Sequence, residues 1–155
     1  MRALFVETNR TLAPSHLKDA FEAYIARSLS EEIDRIVDYY DEKRGGFWVA
    51  VTEGTILGIF GLETTSHDAM ELLRMYVDAA ARRRGIARQM LQFAEDECRR
   101  RKMPKLFLST SELQIEALAL YRRSGYSLLR EETTGVASNK TVGSGIRRYY
   151  FEKRL

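Results

Sequence analysis

The sequence predicts an α+β domain of three layers, in which a mixed, mostly antiparallel seven-stranded sheet carries four helices. Three observations lead there. Two apolar runs, Phe47–Val51 and Thr55–Thr64, flank Glu53-Gly54, a tight turn that makes them a hairpin. A third run, Leu72–Val77, follows the polar turn Ser66-His67-Asp68, so three antiparallel strands come in series. The chain from Leu72 to Ser109 then reads strand, helix, strand. A crossover of that length makes its two strands parallel, joining the fourth strand, third helix and fifth strand.

The remaining elements follow in order. Ala3–Glu7 reads as the first strand. Beyond Pro14, Leu17, Ala20, Phe21, Tyr24 and Ile25 recur at helical spacing. Ser30 reads as the N-cap of a second helix, with Glu31 and Glu32 in its first turn. Ile33, Ile36, Val37 and Tyr40 form that helix's apolar stripe, and Gly45-Gly46 ends it. The third helix spans roughly Arg84–Arg101 and turns Met90, Phe93, Ala94 and Cys98 inward. After Pro104, Lys105–Ser109 is a short apolar strand. Ser111-x-x-Gln114 has the capping-box form and starts a helix with Leu113, Ala117, Leu120 and Tyr121 inward, closed by Gly125. Tyr126–Glu131 and Ile146–Lys153 are the last strands. Residues 132–145 between them are polar, and a loop that long inside a compact domain is functional or disordered.

Composition narrows the function. The chain has 155 residues, 45% hydrophobic and 30% charged, which suits one domain spanning 1–155. Its 25 basic and 22 acidic side chains leave a net charge of +3, too small to demand a nucleic-acid partner. A single cysteine, Cys98, excludes an internal disulfide, and His16 and His67 lie far apart, so no metal site is expected. Cys98 reads as a small core residue without chemistry. Glu7 interrupts the N-terminal apolar run, and the longest such run, Ile56–Leu62, is far short of a membrane span. The expectation is a soluble, cytoplasmic protein without a membrane partner.

The most informative stretch is 70–91, MELLRMYVDAAARRRGIARQML. A strand passes through the turn Asp78–Ala81 into Arg82-Arg83-Arg84-Gly85-Ile86-Ala87, where a helix opens. The first amides of a helix lack intrahelical partners and the helix dipole is positive there, so the stretch suits an anion. Gly85 lets that anion approach the backbone, and the arginines add full charge. A Walker A loop is absent, and only one of the three dinucleotide-fingerprint glycines is present. The spacing alone supports a diphosphate-sized anion, or equally a solvated basic helix start.

Element order and motifs together resemble the GNAT superfamily of acyl-CoA-dependent N-acetyltransferases. That family carries Gln/Arg-x-x-Gly-x-Gly/Ala between its fourth strand and third helix, and this chain has Arg82-x-x-Gly85-x-Ala87. Its second signature, Asn-x-x-Ala-x-x-Leu-Tyr followed by Gly-Phe, reads here Gln114-x-x-Ala117-x-x-Leu120-Tyr121 and Gly125-Tyr126. Gln stands for Asn at 114, and Tyr for Phe at 126.

The resemblance implies acetyl-CoA as co-substrate, with no metal. Arg82, Arg83, Arg84, Gly85, Ile86 and Ala87 would surround its diphosphate. The backbone of Met75, Tyr76 and Val77 would hold the pantetheine arm, and a backbone N–H there would polarise the thioester carbonyl. Gln114 and Ala117 belong to the second cofactor signature, and Arg123 would reach the phosphates. The reaction implied is direct attack of a primary amine in a ternary complex, with a small-molecule amine favoured over a protein. Tyr121 would protonate the leaving thiolate. Glu71 would serve as base, on the face of its strand that Val77 shares if no bulge intervenes; Glu63 competes for that role. Homodimers are common in such families.

Two other functions stay open. An acyl-CoA-binding module without catalysis would not need both Tyr121 and Glu71. A nucleic-acid binder would use Arg82–Arg84, Arg88 and Arg99–Lys102. These clusters sit at opposite ends of one helix and lack an accompanying aromatic RNA-binding signature, so nucleic acid is not the expected partner.

Overall fold

The computed structural model describes all 155 residues. One six-stranded sheet runs in the order β1-β2-β3-β4-β6-β5. Its strands are β1 (Gly46–Thr52), β2 (Thr55–Ser66), β3 (Ala69–Val77), β4 (Lys105–Ser111), β5 (Ser127–Thr133) and β6 (Arg147–Arg154). Five helices accompany it: α1 (Arg2–Leu12), α2 (Lys18–Glu31), α3 (Ile36–Glu42), α4 (Ile86–Arg100) and α5 (Ile115–Arg123). Only β3 and β4 pair in parallel; the other neighbours are antiparallel. The expected class of fold therefore holds, with one strand fewer and one helix more.

The difference lies at the N-terminus. Ala3–Glu7 belongs to α1, not to a strand. Leu4, Phe5, Thr8 and Asn9 are buried, the spacing of one helical stripe, and the Asn9 side-chain amide donates to the Phe5 carbonyl at 2.8 Å. A five-residue apolar run cannot by itself separate the two conformations.

The second correction follows. Ser30 is not an N-cap: α2 continues past it, and its hydroxyl donates to the Arg27 carbonyl. The chain then makes a short 3-10 turn, Ile33–Arg35, before α3. Glu32 sits at that junction, fully buried rather than in a solvated first turn, and Val37 is exposed rather than part of the stripe.

The β1–β2 hairpin forms as expected. Glu53 and Gly54 both take positive φ, 48° and 79°, as a type I′ turn requires. Gly45, after α3, is fixed by close approach, since a Cβ there would lie 2.0 Å from the Leu62 carbonyl oxygen.

The sheet separates two cores. On one face α4 and α5 bury Met90, Leu91, Ala94, Cys98, Leu118 and Tyr121 against Leu62, Met70, Leu72, Leu106, Leu108 and Phe151. Phe93 is half-exposed rather than inward, resting beside Trp48 and Phe60 at the rim. Burial pushes the Cys98 thiol up to about 11, so it stays protonated and inert. On the other face α1 and α2 bury Leu4, Phe5, Tyr24 and Ile25 against Ile59.

Candidate active site

The site begins with a defect in β3. Its register with β2 jumps from Gly61↔Leu73 to Ile59↔Tyr76, so Arg74 and Met75 together face Phe60. This is a β-bulge, and Arg74 occupies its left-handed position with φ 55°. An arginine there is held by tertiary contacts. Its guanidinium lies 2.5 Å from the buried Glu32 carboxylate, bonds the Tyr24 hydroxyl and the Asn139 carbonyl, and sits 5.1 Å over the Phe5 ring.

The bulge has two consequences. It reverses the alternation of β3, so Tyr76 joins the α1–α2 core while Met75 and Val77 pack on the α4–α5 side. Glu71, opposite Glu63, therefore does not share a face with Val77, and the parity expected from the sequence fails. The bulge also ends the parallel pairing. β3 and β4 stay in register only from Ala69↔Lys105 to Leu72↔Leu108, though β4 continues to Ser111 and β3 to Val77. Beyond Leu72 and Leu108 the two strands part, and their facing backbone edges are left without each other.

A cleft occupies this gap. Leu72–Tyr76 and Ser109–Ser111 line it from the sheet, Tyr121 and Gln114 from the α5 side, and Asn9, Leu12, Phe21 and Tyr24 from α1 and α2. Tyr121 is 5% exposed, its ring braced by Tyr126 and Phe151 at 5.9 and 6.3 Å. Burial alone raises its pKa well above the usual phenol value, with no charge or hydrogen bond contributing. The phenol thus stays protonated and able to donate. Gln114 is the N-cap residue of α5; its side-chain carbonyl accepts from the Thr110 hydroxyl at 3.0 Å and, at 3.5 Å, from the Ser111 amide. Because Gln114 is itself the N-cap, Ser111 stands three residues outside the helix and the expected capping box does not form. Ala117 is half-buried against the core one turn before Tyr121.

The helix start beyond β3 is open. After the Asp78–Ala81 turn, Arg83 and Gly85 take left-handed φ of 60° and 78°, and Gly85 is the N-cap of α4. No side chain caps this end and no acidic residue occupies its first turn. Arg82, Arg83, Arg84 and Gly85 are exposed, while Ile86 and Ala87 are half-buried. A Cβ at Gly85 would meet open space, so the glycine answers to its backbone angle as well as to access. This end therefore fits a linked pair of phosphates. Arg123 is exposed on the last turn of α5.

The α1–α2 face holds the two carboxylates. Glu63 and Glu71 face each other directly across β2 and β3. Like charges so placed repel, and a residue from the 134–146 loop resolves it. The Lys140 ammonium bonds Glu63 and lies 2.9 Å from Glu71. Glu63 also accepts from the Tyr39 hydroxyl at 3.3 Å. Burial opposes the Lys140 charge, but Glu71 and Glu63 outweigh it and raise its pKa. Asn139, beside it, accepts from Ser28 and Arg74, so the loop is folded onto this face. Sequence reasoning flagged the loop by its length but missed Lys140, Arg74 and Glu32, whose ion-pair partners lie 42 to 77 positions away. Of these, Lys140 stands 77 positions from Glu63.

Comparison with known proteins agrees with this architecture. The acetyltransferase (GNAT) family matches residues 13–126. N-acetyltransferase 8 of Homo sapiens is 31% identical over 119 residues, 70% of this chain and 51% of that protein. N-acetylaspartate synthetase of Homo sapiens is 32% identical over 115 residues, 70% of this chain and 37% of its own length. The chain thus spans about half or less of these curated relatives. Among solved structures, IAA acetyltransferase from Bacillus cereus ATCC 14579 superposes with a TM-score of 0.65 at 20% identity, covering 84% of this chain and 91% of its own. A GNAT family acetyltransferase from Elizabethkingia anophelis with acetyl-CoA bound gives 0.65 at 16% identity, covering 84% and 89%. The fold is common to these solved structures, and with the family match over most of its length the chain belongs to the GNAT acetyltransferase family.

Proposed function

We propose that the chain is an acetyl-CoA-dependent N-acetyltransferase that acetylates the primary amine of a small molecule by direct attack in a ternary complex. The observation that carries this reading is the parting of β3 and β4 after Leu72 and Leu108, which opens a cleft onto Tyr121. Acetyl-CoA supplies the activated thioester. The uncapped start of α4 and Arg82–Arg84 hold its diphosphate, with Arg123 as a further phosphate contact, and the free edge of β3 at Met75–Val77 aligns its arm. A backbone N–H of that edge polarises the carbonyl.

Tyr121 donates to the departing thiolate; burial keeps its proton in place until then. The base is Glu71. Glu63 is 5% exposed and holds both Tyr39 and Lys140, whereas Glu71 is half-buried and bonded to Lys140 alone. The Lys140 ammonium stands where an acceptor ammonium would be received, so the 134–146 loop borders the acceptor entrance. Walls from α1, α2 and this loop favour a compact acceptor over an extended polypeptide.

A panel of primary amines with acetyl-CoA, read by free-thiol release, tests the reading. Turnover of at least one amine is expected, and Tyr121→Phe lowers kcat at least tenfold with little change in acetyl-CoA affinity. Unchanged turnover in that variant removes Tyr121 from the mechanism.

A further inference from the structure

Three basic side chains line the cleft, and two of them are neutralised. Arg74 is paired with Glu32, and Lys140 with Glu63 and Glu71. The third, Arg148 on β6, makes no ion pair. Its guanidinium donates to the Ser109 hydroxyl at 2.7 Å. That hydroxyl accepts from Arg148, so its own proton remains free for a second acceptor atom. A half-buried guanidinium beside a free hydroxyl proton forms a fork suited to a carboxylate.

Its position identifies the molecule it would serve. Glu71 pairs with Phe107, Ser109 lies two residues further along β4, and Ser111, opposite Arg148, two further again. Residues two apart on a strand share a face. Arg148 and Ser109 therefore sit on the face of Glu63 and Glu71, with Ser109, which the guanidinium reaches, roughly 7 Å along β4 from the position beside Glu71. The helix whose start fits the CoA diphosphate, α4, covers the opposite face. One surface thus has two carboxylates sharing a single lysine at one end and an unpaired guanidinium at the other. This dipole matches an amine carrying its own carboxylate.

We infer that Arg148, with Ser109, binds a carboxylate of the acceptor, so that the acceptor is an amine carrying its own carboxylate, as an amino acid does. The inference rests on the acetyltransferase reading and adds the acceptor's chemical class to it. The guanidinium anchors the carboxylate, which turns the amino group toward Glu71. The ammonium displaces Lys140 from the carboxylates, and the loop carrying Lys140 yields as the acceptor enters.

The test compares amino acids with their decarboxylated amines as acceptors, by thiol release, in the wild type and in Arg148→Gln and Ser109→Ala. The wild type favours the carboxylate-bearing member at least tenfold in kcat/KM. Arg148→Gln abolishes that preference through KM, leaving the decarboxylated amines and the KM for acetyl-CoA within twofold. Ser109→Ala weakens the preference about threefold, consistent with loss of one hydrogen bond. If Arg148→Gln does not fold, Arg148→Lys, which keeps the charge but not the fork, gives an intermediate preference. Equal turnover of both members of each pair, or equal losses on both in the variant, overturns the carboxylate site while leaving the acetyltransferase intact. Absence of thiol release with every amine of either kind overturns both.

Discussion

Replacing Lys140 by Met probes the acceptor face most sharply. The ammonium lies 2.9 Å from Glu71 and also bonds Glu63, and these carboxylates oppose each other across β2 and β3. Breaking a fully buried pair costs about 3–5 kcal/mol, and an exposed pair about 0–1. The Lys140 side chain is 36% exposed against 6% and 19% for Glu63 and Glu71, which places the cost between those limits, at about 2 kcal/mol. For a domain of this size that lowers Tm by about 4–8 °C. The pH dependence has a definite sign. Lys140 has a raised folded-state pKa, so its stabilisation is fully present below its unfolded value of about 10.4 and is lost as pH rises through the folded value. The deficit is therefore fully present at pH 7.5 and closes at strongly alkaline pH, where Lys140 loses its charge. Thermal unfolding followed by circular dichroism across that range measures it. An equal deficit at every pH, or none at pH 7.5, refutes the electrostatic role given to Lys140.

Two further outcomes separate the remaining roles. Glu71→Gln lowers kcat at least tenfold, while Glu63→Gln stays within threefold. The reverse pattern in the same assay exchanges their roles. Glu32→Gln leaves the Arg74 guanidinium buried without its counter-charge, costing about 3–5 kcal/mol in chemical denaturation. A loss under 1 kcal/mol would mean that Tyr24 and the Asn139 carbonyl hold Arg74 unaided.

What the sequence disclosed follows the range of the forces involved. The hairpin was legible because Glu53-Gly54 satisfies a left-handed turn within four residues. The crossover and the start of α4 were legible for the same local reason, with Gly85 needed at φ 78° and arginines gathered before it. α1 was misread because its apolar run is too short to display a period, and Phe5 is buried by α2 and Tyr76 rather than by sequence neighbours. The break in β3 carries no glycine or proline. Arg74 adopts the bulge because Glu32, 42 positions earlier, and the 134–146 loop draw its side chain across. The acceptor face was equally hidden, since Lys140 and Arg148 read as ordinary solvated charges until the loop and β6 bring them over Glu71 and Ser109.

Isothermal titration of the folded protein with CoA tests the central claim, that the open β3 edge and the start of α4 together receive this molecule. The account predicts saturable one-to-one binding, weakened when Arg83 and Arg84 are both changed to Ala. A folded protein that yields no binding heat at several temperatures and is not stabilised by CoA against thermal unfolding would contradict it.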